Sequence, residues 1–232
     1  MIYGYEDTIT IFLAIIGFII TLFAQLKINM NYHKYKNIAN KNKMTGQEVA
    51  RLILDNNQLN NVDVLSVEGE LTDHYDPTTK VVRLSNDIYH GNTIAALSVA
   101  AHECGHAIQD KENYRYMIIR SKLVPVVNFI SYAGYFTILI SLIAGATGYF
   151  MLGVITLLAT LLFQIVTLPV EFDASNRALK QLEKLKIITE EEKELSKKML
   201  ASAAFTYVAS VISNILDLIR IIIMLLNSRK DD

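Results

Sequence analysis

The longest run of the chain without a charged side chain extends from Leu123 to Val170. A membrane-spanning helix needs about 20 apolar residues, so this run holds enough chain for two spans rather than one. Gly145 to Gly148 lies near its middle and is typical of a tight turn. A soluble core does not need uncharged runs of this length. The pattern therefore predicts an integral membrane protein that contains an antiparallel helical hairpin.

Two other segments are candidate membrane helices. Thr8 to Leu26 contains no charged residue and is long enough to cross a bilayer. Ala201 to Leu226 is a fourth candidate, although it carries Asp217 and Arg220, which lie three positions apart and can pair on one helix face. We expect a mainly α membrane protein with about four transmembrane or membrane-embedded helices. The pattern leaves open whether the last helix crosses the membrane or lies in its interface.

The distribution of basic residues predicts the orientation of the chain. Nearly all lysines and arginines lie between Lys27 and Lys122 or between Glu171 and Leu200, whereas Met1 to Asp7 carries only acidic charges. The positive-inside rule therefore places both polar segments in the cytoplasm and the N-terminus outside, in a multi-pass protein of the cell membrane. The net charge of -1 gives no reason to expect a nucleic-acid partner. The single cysteine, Cys104, excludes an internal disulfide and agrees with a reducing compartment.

The first polar segment contains the pattern His102-Glu103-Cys104-Gly105-His106. Positions i and i+4 of an α-helix share a face, so His102 and His106 can direct one nitrogen each at a single metal ion. Glu103 then lies beside the metal and can take a proton from a water there. Two histidines and a glutamate are costly to bury without a partner, which favours a zinc site over a chance match in a core helix. Cys104 points away from the metal face and is expected only to pack.

A catalytic zinc usually has three protein ligands and an open position for water, so a third ligand must lie elsewhere. Glu171 is the best candidate, because it follows Pro169 at the end of the third span, where a new helical turn can begin. Asp173 is the rival, but it faces away from Glu171 on a helix, so both cannot easily bind one ion. His90, in a predicted loop ahead of the HECGH helix, is another possible ligand.

A small α+β domain is predicted between the first span and the HECGH helix. Thr45 to Glu48 resembles the capping box of a helix, and Val62 to Val67 and Lys80 to Leu84 are typical of short strands. Asp76-Pro77 marks a turn. An exposed edge strand there can bind an extended peptide across the metal, although a sheet that only supports the helix is an equal alternative. His74 can orient a substrate or stabilise an oxyanion, with an ordinary structural histidine as the alternative.

Three segments together resemble the YugP-like neutral zinc metallopeptidases of bacterial membranes. They are Leu71 to Pro77, Ala100 to Gln109 and Pro169 to Ser175, and the resemblance extends over nearly the whole chain. The layout is more distantly similar to the HtpX and CAAX prenyl protease group, in which a helix after a membrane hairpin supplies a ligand glutamate. The resemblance implies that the third ligand is Glu171. Thr206 to Ala209 also occurs in the resembling family, where Tyr207 can hydrogen-bond a tetrahedral intermediate or simply lie at the membrane interface.

One position departs from the pattern of the HtpX group. Ser175 stands where that group has an aspartate, four residues after the ligand. A second hydrogen bond normally holds each zinc histidine in place, so the departure leaves the partner of these histidines open. Asn176, Arg177 and Asp73 are the candidates that we consider for it.

The sequence therefore predicts a membrane-embedded zinc metallopeptidase of the gluzincin type, an endopeptidase that cleaves at the cytoplasmic face. His102, His106 and Glu171 hold Zn2+, Glu103 is the base, and the expected partners are a peptide or membrane-protein substrate and the lipid bilayer. One alternative is a catalytically silent scaffold with a structural zinc site, and another is a zinc hydrolase that acts on a different bond. An intramembrane protease of the site-2 type would need a ligand aspartate on a span, where Asp217 lies beside Arg220.

The expected architecture is a set of membrane helices with a small cytoplasmic α+β zincin-like catalytic domain, in five consecutive segments. These are an anchor (1–26), an α+β part with the HECGH helix (27–122), a transmembrane hairpin (123–170), a helical segment with the third ligand (171–200) and a C-terminal membrane helix and tail (201–232).

Overall fold

The computed structural model of the protein describes residues 5–144 and 150–228. Within them the elements are α1 (Tyr5–Lys36), α2 (Gly46–Asn56), β1 (Asp63–Val67), β2 (His74–Asp76), β3 (Val81–Ser85), α3 (Asn86–His90), α4 (Ile94–Lys111), α5 (Arg115–Ala144), α6 (Phe150–Lys184) and α7 (Glu190–Ser228). The predicted predominance of helices is confirmed. The turn predicted at 145–148 and the charged tail at 229–232 lie outside the described residues.

The chain divides into two compact units. The membrane unit comprises Met1–Gln25, Ile119–Leu168 and Thr206–Asp232, and the site unit comprises Leu26–Ile118 and Pro169–Phe205. Each unit thus draws on segments that are far apart in the sequence.

Three helical segments of the described chain are long and apolar enough to cross a membrane. They are Thr8–Lys36, Leu152–Lys184 and Glu190–Met224. Polar contacts in the membrane unit join side chains of these helices. The Asn214 amide donates to Gln164 Oε1 at 2.8 Å, and Arg220 pairs with Asp217 at 2.6 Å, as its spacing predicted. The chain is therefore a helical membrane protein, and a fourth membrane helix stays a prediction.

The prediction that a new helical turn begins after Pro169 is wrong. α6 is continuous from Phe150 to Lys184 and contains Pro169 in its interior. A proline inside a helix removes one backbone hydrogen bond, and burial of an apolar stripe can offset that loss. Such a stripe follows directly, because Val170, Ala174 and Ala178 lie at helical spacing and are fully buried in the site unit.

The sheet of the site unit has the strand order β1-β3-β2. β1 runs parallel to β3, and β2 pairs with β3 in the antiparallel sense, with Tyr75 opposite Val82. The strands predicted around Val64 and Val82 are therefore confirmed. β2 ends at Asp76, where the turn at Asp76-Pro77 was predicted. The Asp76 carboxylate accepts the backbone N–H groups of Thr78 and Thr79.

The capping box predicted for α2 is confirmed. The Glu48 N–H donates to Thr45 Oγ1 at 3.3 Å, and the Thr45 N–H donates back to the Glu48 carboxylate at 2.7 Å. α2 packs on α4, and Val49, Ile53 and Leu54 are fully buried there.

Cys104 is a packing residue, as predicted. It is fully buried on the side of α4 that faces α2, and its Sγ lies 3.5 Å from the Ala50 carbonyl oxygen. Burial raises the pKa of the thiol well above its usual range, so the side chain stays neutral. Cys104 thus has the environment of a small apolar residue.

Candidate metal centre

α4 brings the two histidines of the HECGH pattern onto one face. Thr93 caps the helix by accepting the Ala96 N–H, and the helix is buried along most of its length. His102 and His106 follow each other by one turn, and their ring centroids lie 4.7 Å apart. Their Nε2 atoms lie 3.3 Å and 3.6 Å from the same carboxylate oxygen of Glu171.

These three side chains can hold one metal ion. Their candidate ligand atoms all lie within 4.8 Å of one another, and His106 and Glu171 are buried. Two imidazole nitrogens and one carboxylate oxygen are a donor set that zinc prefers, and three protein ligands leave a position for a water. The residues present therefore fit a catalytic zinc.

A close approach of α4 and α6 lets Glu171 reach the histidines. At Gly105, an added Cβ would lie 2.5 Å from the Ala174 carbonyl oxygen and 3.2 Å from Ala174 Cα. No side chain fits in that space, so only glycine permits the two backbones to lie this close. Gly105 is next to His106, and Ala174 follows Glu171 by three residues. The close contact of the two backbones therefore sets the distance between the ligands on α4 and the ligand on α6.

Glu103 lies beside the ligand group with a buried carboxyl, 7% exposed. Burial raises its pKa to about 7, and the charges of Glu171 and Asp73 act in the same direction. The charge of His102 and the backbone of Tyr75 lower it. The Glu103 carboxyl can therefore gain and lose a proton near neutral pH.

Each histidine has a hydrogen-bond partner on its second nitrogen. Ser175 Oγ lies 3.2 Å from His102 Nδ1, and Gln109 Oε1 lies 3.0 Å from His106 Nδ1. Ser175 is thus the residue that contacts His102, although its departure from the aspartate of the HtpX group had suggested a partner elsewhere. Helical spacing contained the signal for both, because Gln109 follows His106 by three positions and Ser175 follows Glu171 by four.

The three residues considered as partners of the histidines lie in other contacts. Asp73 accepts the backbone N–H of Ser85 at 2.7 Å, and Arg177 pairs with Asp173 and with Glu112. Asn176 is exposed on α6. In the described part of the chain, none of the three forms a hydrogen bond to His102 or His106.

The other candidate site residues lie outside the ligand group that the described residues form. Asp173 accepts from the Gln109 amide at 2.9 Å. His74 is exposed on β2, where its Nδ1 lies 2.8 Å from the Thr72 carbonyl oxygen. His90 ends α3, so its assignment to a loop is wrong, and its ring packs on Tyr89 at 4.8 Å.

Tyr207 belongs to the membrane unit, where it lies on α7. Its role in stabilising an intermediate stays a prediction.

A helical membrane protein with a His-His-Glu group beside a buried glutamate has the features of a membrane zinc peptidase. The sequence pattern of the family described as "Putative neutral zinc metallopeptidase" matches residues 10–226, and the chain belongs to this family. It is similar to the "Putative membrane protease YugP" of Bacillus subtilis (strain 168), with 42% identity over 222 residues that cover 96% of this chain and 99% of that protein. No solved structure matches significantly. The family's cofactor is zinc, which agrees with the donor set of this site.

Proposed function

We propose that this protein is a membrane-embedded zinc endopeptidase that hydrolyses peptide bonds at the cytoplasmic face of the cell membrane. The observation that carries the proposal is the convergence of His102, His106 and Glu171 beside the buried Glu103. Membership of a zinc metallopeptidase family supports it. A purely structural zinc site has no use for a carboxyl group held next to its ligands, which favours an enzyme over a scaffold.

Glu103 is the general base and then the general acid of the proposed reaction. Zinc, when bound by the two histidines and Glu171, supplies a Lewis acid that lowers the pKa of a water and polarises the scissile carbonyl. The Glu103 carboxylate accepts a proton from the attacking water as the water oxygen bonds to the carbonyl carbon. It returns this proton to the amine nitrogen as the carbon–nitrogen bond breaks.

β2 is the proposed support for the substrate. It pairs with β3 on one side, and among the described residues no strand pairs with its other side. β2 contacts α4, the helix that carries the Glu103 carboxyl. An extended peptide that adds to the free edge would be held by main-chain hydrogen bonds on both sides of the scissile bond. This arrangement supports an endopeptidase rather than an exopeptidase.

The membrane arrangement that we propose has four helices, with the N-terminus outside and the site unit in the cytoplasm. The three long apolar helices and the uncharged run from Leu123 to Val170 support the number, and the positions of the lysines and arginines support the orientation. The substrates would then be cytoplasmic peptides or the juxtamembrane segments of membrane proteins, and the lipid bilayer is the second partner.

The test is hydrolysis of fluorescently labelled casein by the detergent-purified, zinc-loaded protein. Glu103→Gln keeps the size of the side chain but removes the proton acceptor, so we expect about one zinc per chain and a loss of turnover of at least about 100-fold. Glu183→Gln, on the exposed part of α6, is the matched control and should cleave at the wild-type rate. Undiminished cleavage by Glu103→Gln would refute the mechanism. Absence of cleavage by zinc-loaded wild type would favour the scaffold.

A further inference from the structure

Gln109 is a fully buried polar residue one turn after His106. Its amide nitrogen donates to the Val170 carbonyl oxygen at 2.8 Å and to the Asp173 carboxylate at 2.9 Å. Its amide oxygen lies 3.0 Å from His106 Nδ1. A single side chain of α4 thus joins a metal-site histidine to two groups of α6.

The three contacts together determine which nitrogen of His106 carries the proton. A carbonyl oxygen and a carboxylate can only accept hydrogen bonds, so the amide NH2 group of Gln109 must face Val170 and Asp173. The amide oxygen, which can only accept, then faces His106. His106 must therefore carry its proton on Nδ1, and the lone pair of Nε2 points towards Glu171, 3.6 Å away. A histidine that binds a metal through Nε2 needs this tautomer, with the proton on Nδ1.

Asp173 is itself held in place. Arg177, one turn later on α6, donates to the Asp173 carboxylate through Nε and to the Glu112 carboxylate through Nη1 at 2.6 Å. The guanidinium also lies over the ring of Tyr114, 5.8 Å from its centroid. The proposed contact order is therefore a chain of side chains in which His106 contacts Gln109, Gln109 contacts Asp173, and Asp173 contacts Arg177.

We propose that Gln109 is a positioning residue for the zinc site, which fixes the tautomer and ring orientation of His106 and anchors them to α6 through Asp173. Asp173, the rival candidate for the third ligand, thereby acts through Gln109 rather than on the metal. The inference rests on the proposed zinc peptidase function and adds residues that touch neither the metal nor the substrate. Partners of this kind are typically worth 10-fold to 100-fold in metal affinity.

The first experiment compares Gln109→Leu with Gln181→Leu. Gln181 also joins α6 to another segment through its amide, since it donates to Asn57 Oδ1 at 3.3 Å, and it lies about three helical turns after Glu171. The measurements are the apparent zinc dissociation constant, by competition with a chelator, and the thermal midpoint of the metal-free protein. We expect Gln109→Leu to weaken zinc binding by about 10-fold to 100-fold and Gln181→Leu to leave it at the wild-type value. A Gln109→Leu protein that binds zinc as tightly as wild type would overturn the inference.

A second pair of variants covers the case in which Gln109→Leu does not fold. Gln109→Glu keeps the acceptor for His106 but sets a carboxylate against that of Asp173, and adding Asp173→Asn restores a donor between them. Asp173→Asn should therefore lower the thermal midpoint and the zinc affinity in the wild-type background, and raise both in the Gln109→Glu background. The same sign of effect in both backgrounds would contradict the proposed contact order.

These outcomes separate the two proposals. A wild-type protein that binds no zinc would overturn the proposed function and this inference together. A wild-type protein that binds zinc while Gln109→Leu binds it equally well would overturn this inference alone.

Discussion

Gly105→Ala provides a sensitive test of how the site is assembled. The added Cβ would lie 2.5 Å from the Ala174 carbonyl oxygen, which is about 0.9 Å short of the 3.4 Å at which ordinary van der Waals contact begins. The obstructing atoms belong to the backbone of α6 and cannot rotate away. The two helices must therefore separate by several tenths of an ångström or more.

The expected magnitudes indicate that Gly105→Ala reduces zinc affinity more than it reduces the stability of the fold. Alanine is favoured over glycine within a helix by about 1 kcal/mol, whereas overpacking a core typically costs about 1–3 kcal/mol, so the net loss of stability is at most about 2 kcal/mol. Metal sites, in contrast, hold their ligand distances to within about 0.2 Å. The backbones of α4 and α6 must move apart by several times this distance at Gly105, which is next to His106, and at Ala174, which is three residues after Glu171. This movement should weaken zinc binding at least about 10-fold.

The assay for Gly105→Ala is the apparent zinc dissociation constant together with thermal unfolding followed by circular dichroism. Gly153→Ala is the matched control, because Gly153 also lies in a helix and a Cβ there meets nothing within 4 Å. We expect the control to bind zinc as wild type does. A Gly105→Ala protein with wild-type zinc affinity and wild-type hydrolysis would refute the argument that the close contact of α4 and α6 assembles the site.

Two further predictions concern Ser175 and Asp76. Ser175→Ala removes the hydroxyl beside His102 Nδ1 and should weaken zinc binding about 10-fold, as measured by competition with a chelator. The control is Ser196→Ala, which removes a buried hydroxyl that has no hydrogen-bond partner among the described residues. It should leave the zinc affinity unchanged. The Thr79 hydroxyl and neighbouring N–H groups lower the pKa of Asp76, so the native state binds fewer protons and this contribution to stability grows with pH. In thermal unfolding experiments, wild type should therefore be more stable than Asp76→Asn by the full amount at neutral pH, and the difference should shrink as the pH falls below about 4. A difference in stability that grows on acidification would contradict this prediction.

Local patterns in the sequence were sufficient to predict several elements. The capping box at Thr45 depends on residues three apart, and the pairing of Asp217 with Arg220 depends on residues on one helix turn. The meeting of His102 with His106 on one face follows from the same periodicity. Each of these features is encoded within a few neighbouring residues, which is why a single sequence reveals it.

The remaining features depend on contacts between distant segments. The continuity of α6 through Pro169 reflects the burial of Val170 and Ala174 in a core to which other parts of the chain contribute, and no local pattern reports that burial. The short strand β2 forms because β3 pairs with it. Gln109 shares a helix face with His106, but its contacts with the Val170 carbonyl and with Asp173 join it to a segment about 60 residues away.

The most direct test of the central claim is the zinc content of the purified protein after removal of one ligand at a time. Wild type is compared with His106→Ala, Glu171→Ala and Glu183→Ala, the last of which removes an exposed carboxylate from the same helix as Glu171. The proposed site predicts about one zinc per chain in wild type and Glu183→Ala, and almost none in His106→Ala and Glu171→Ala. Full zinc content in Glu171→Ala, or none in wild type, would contradict it.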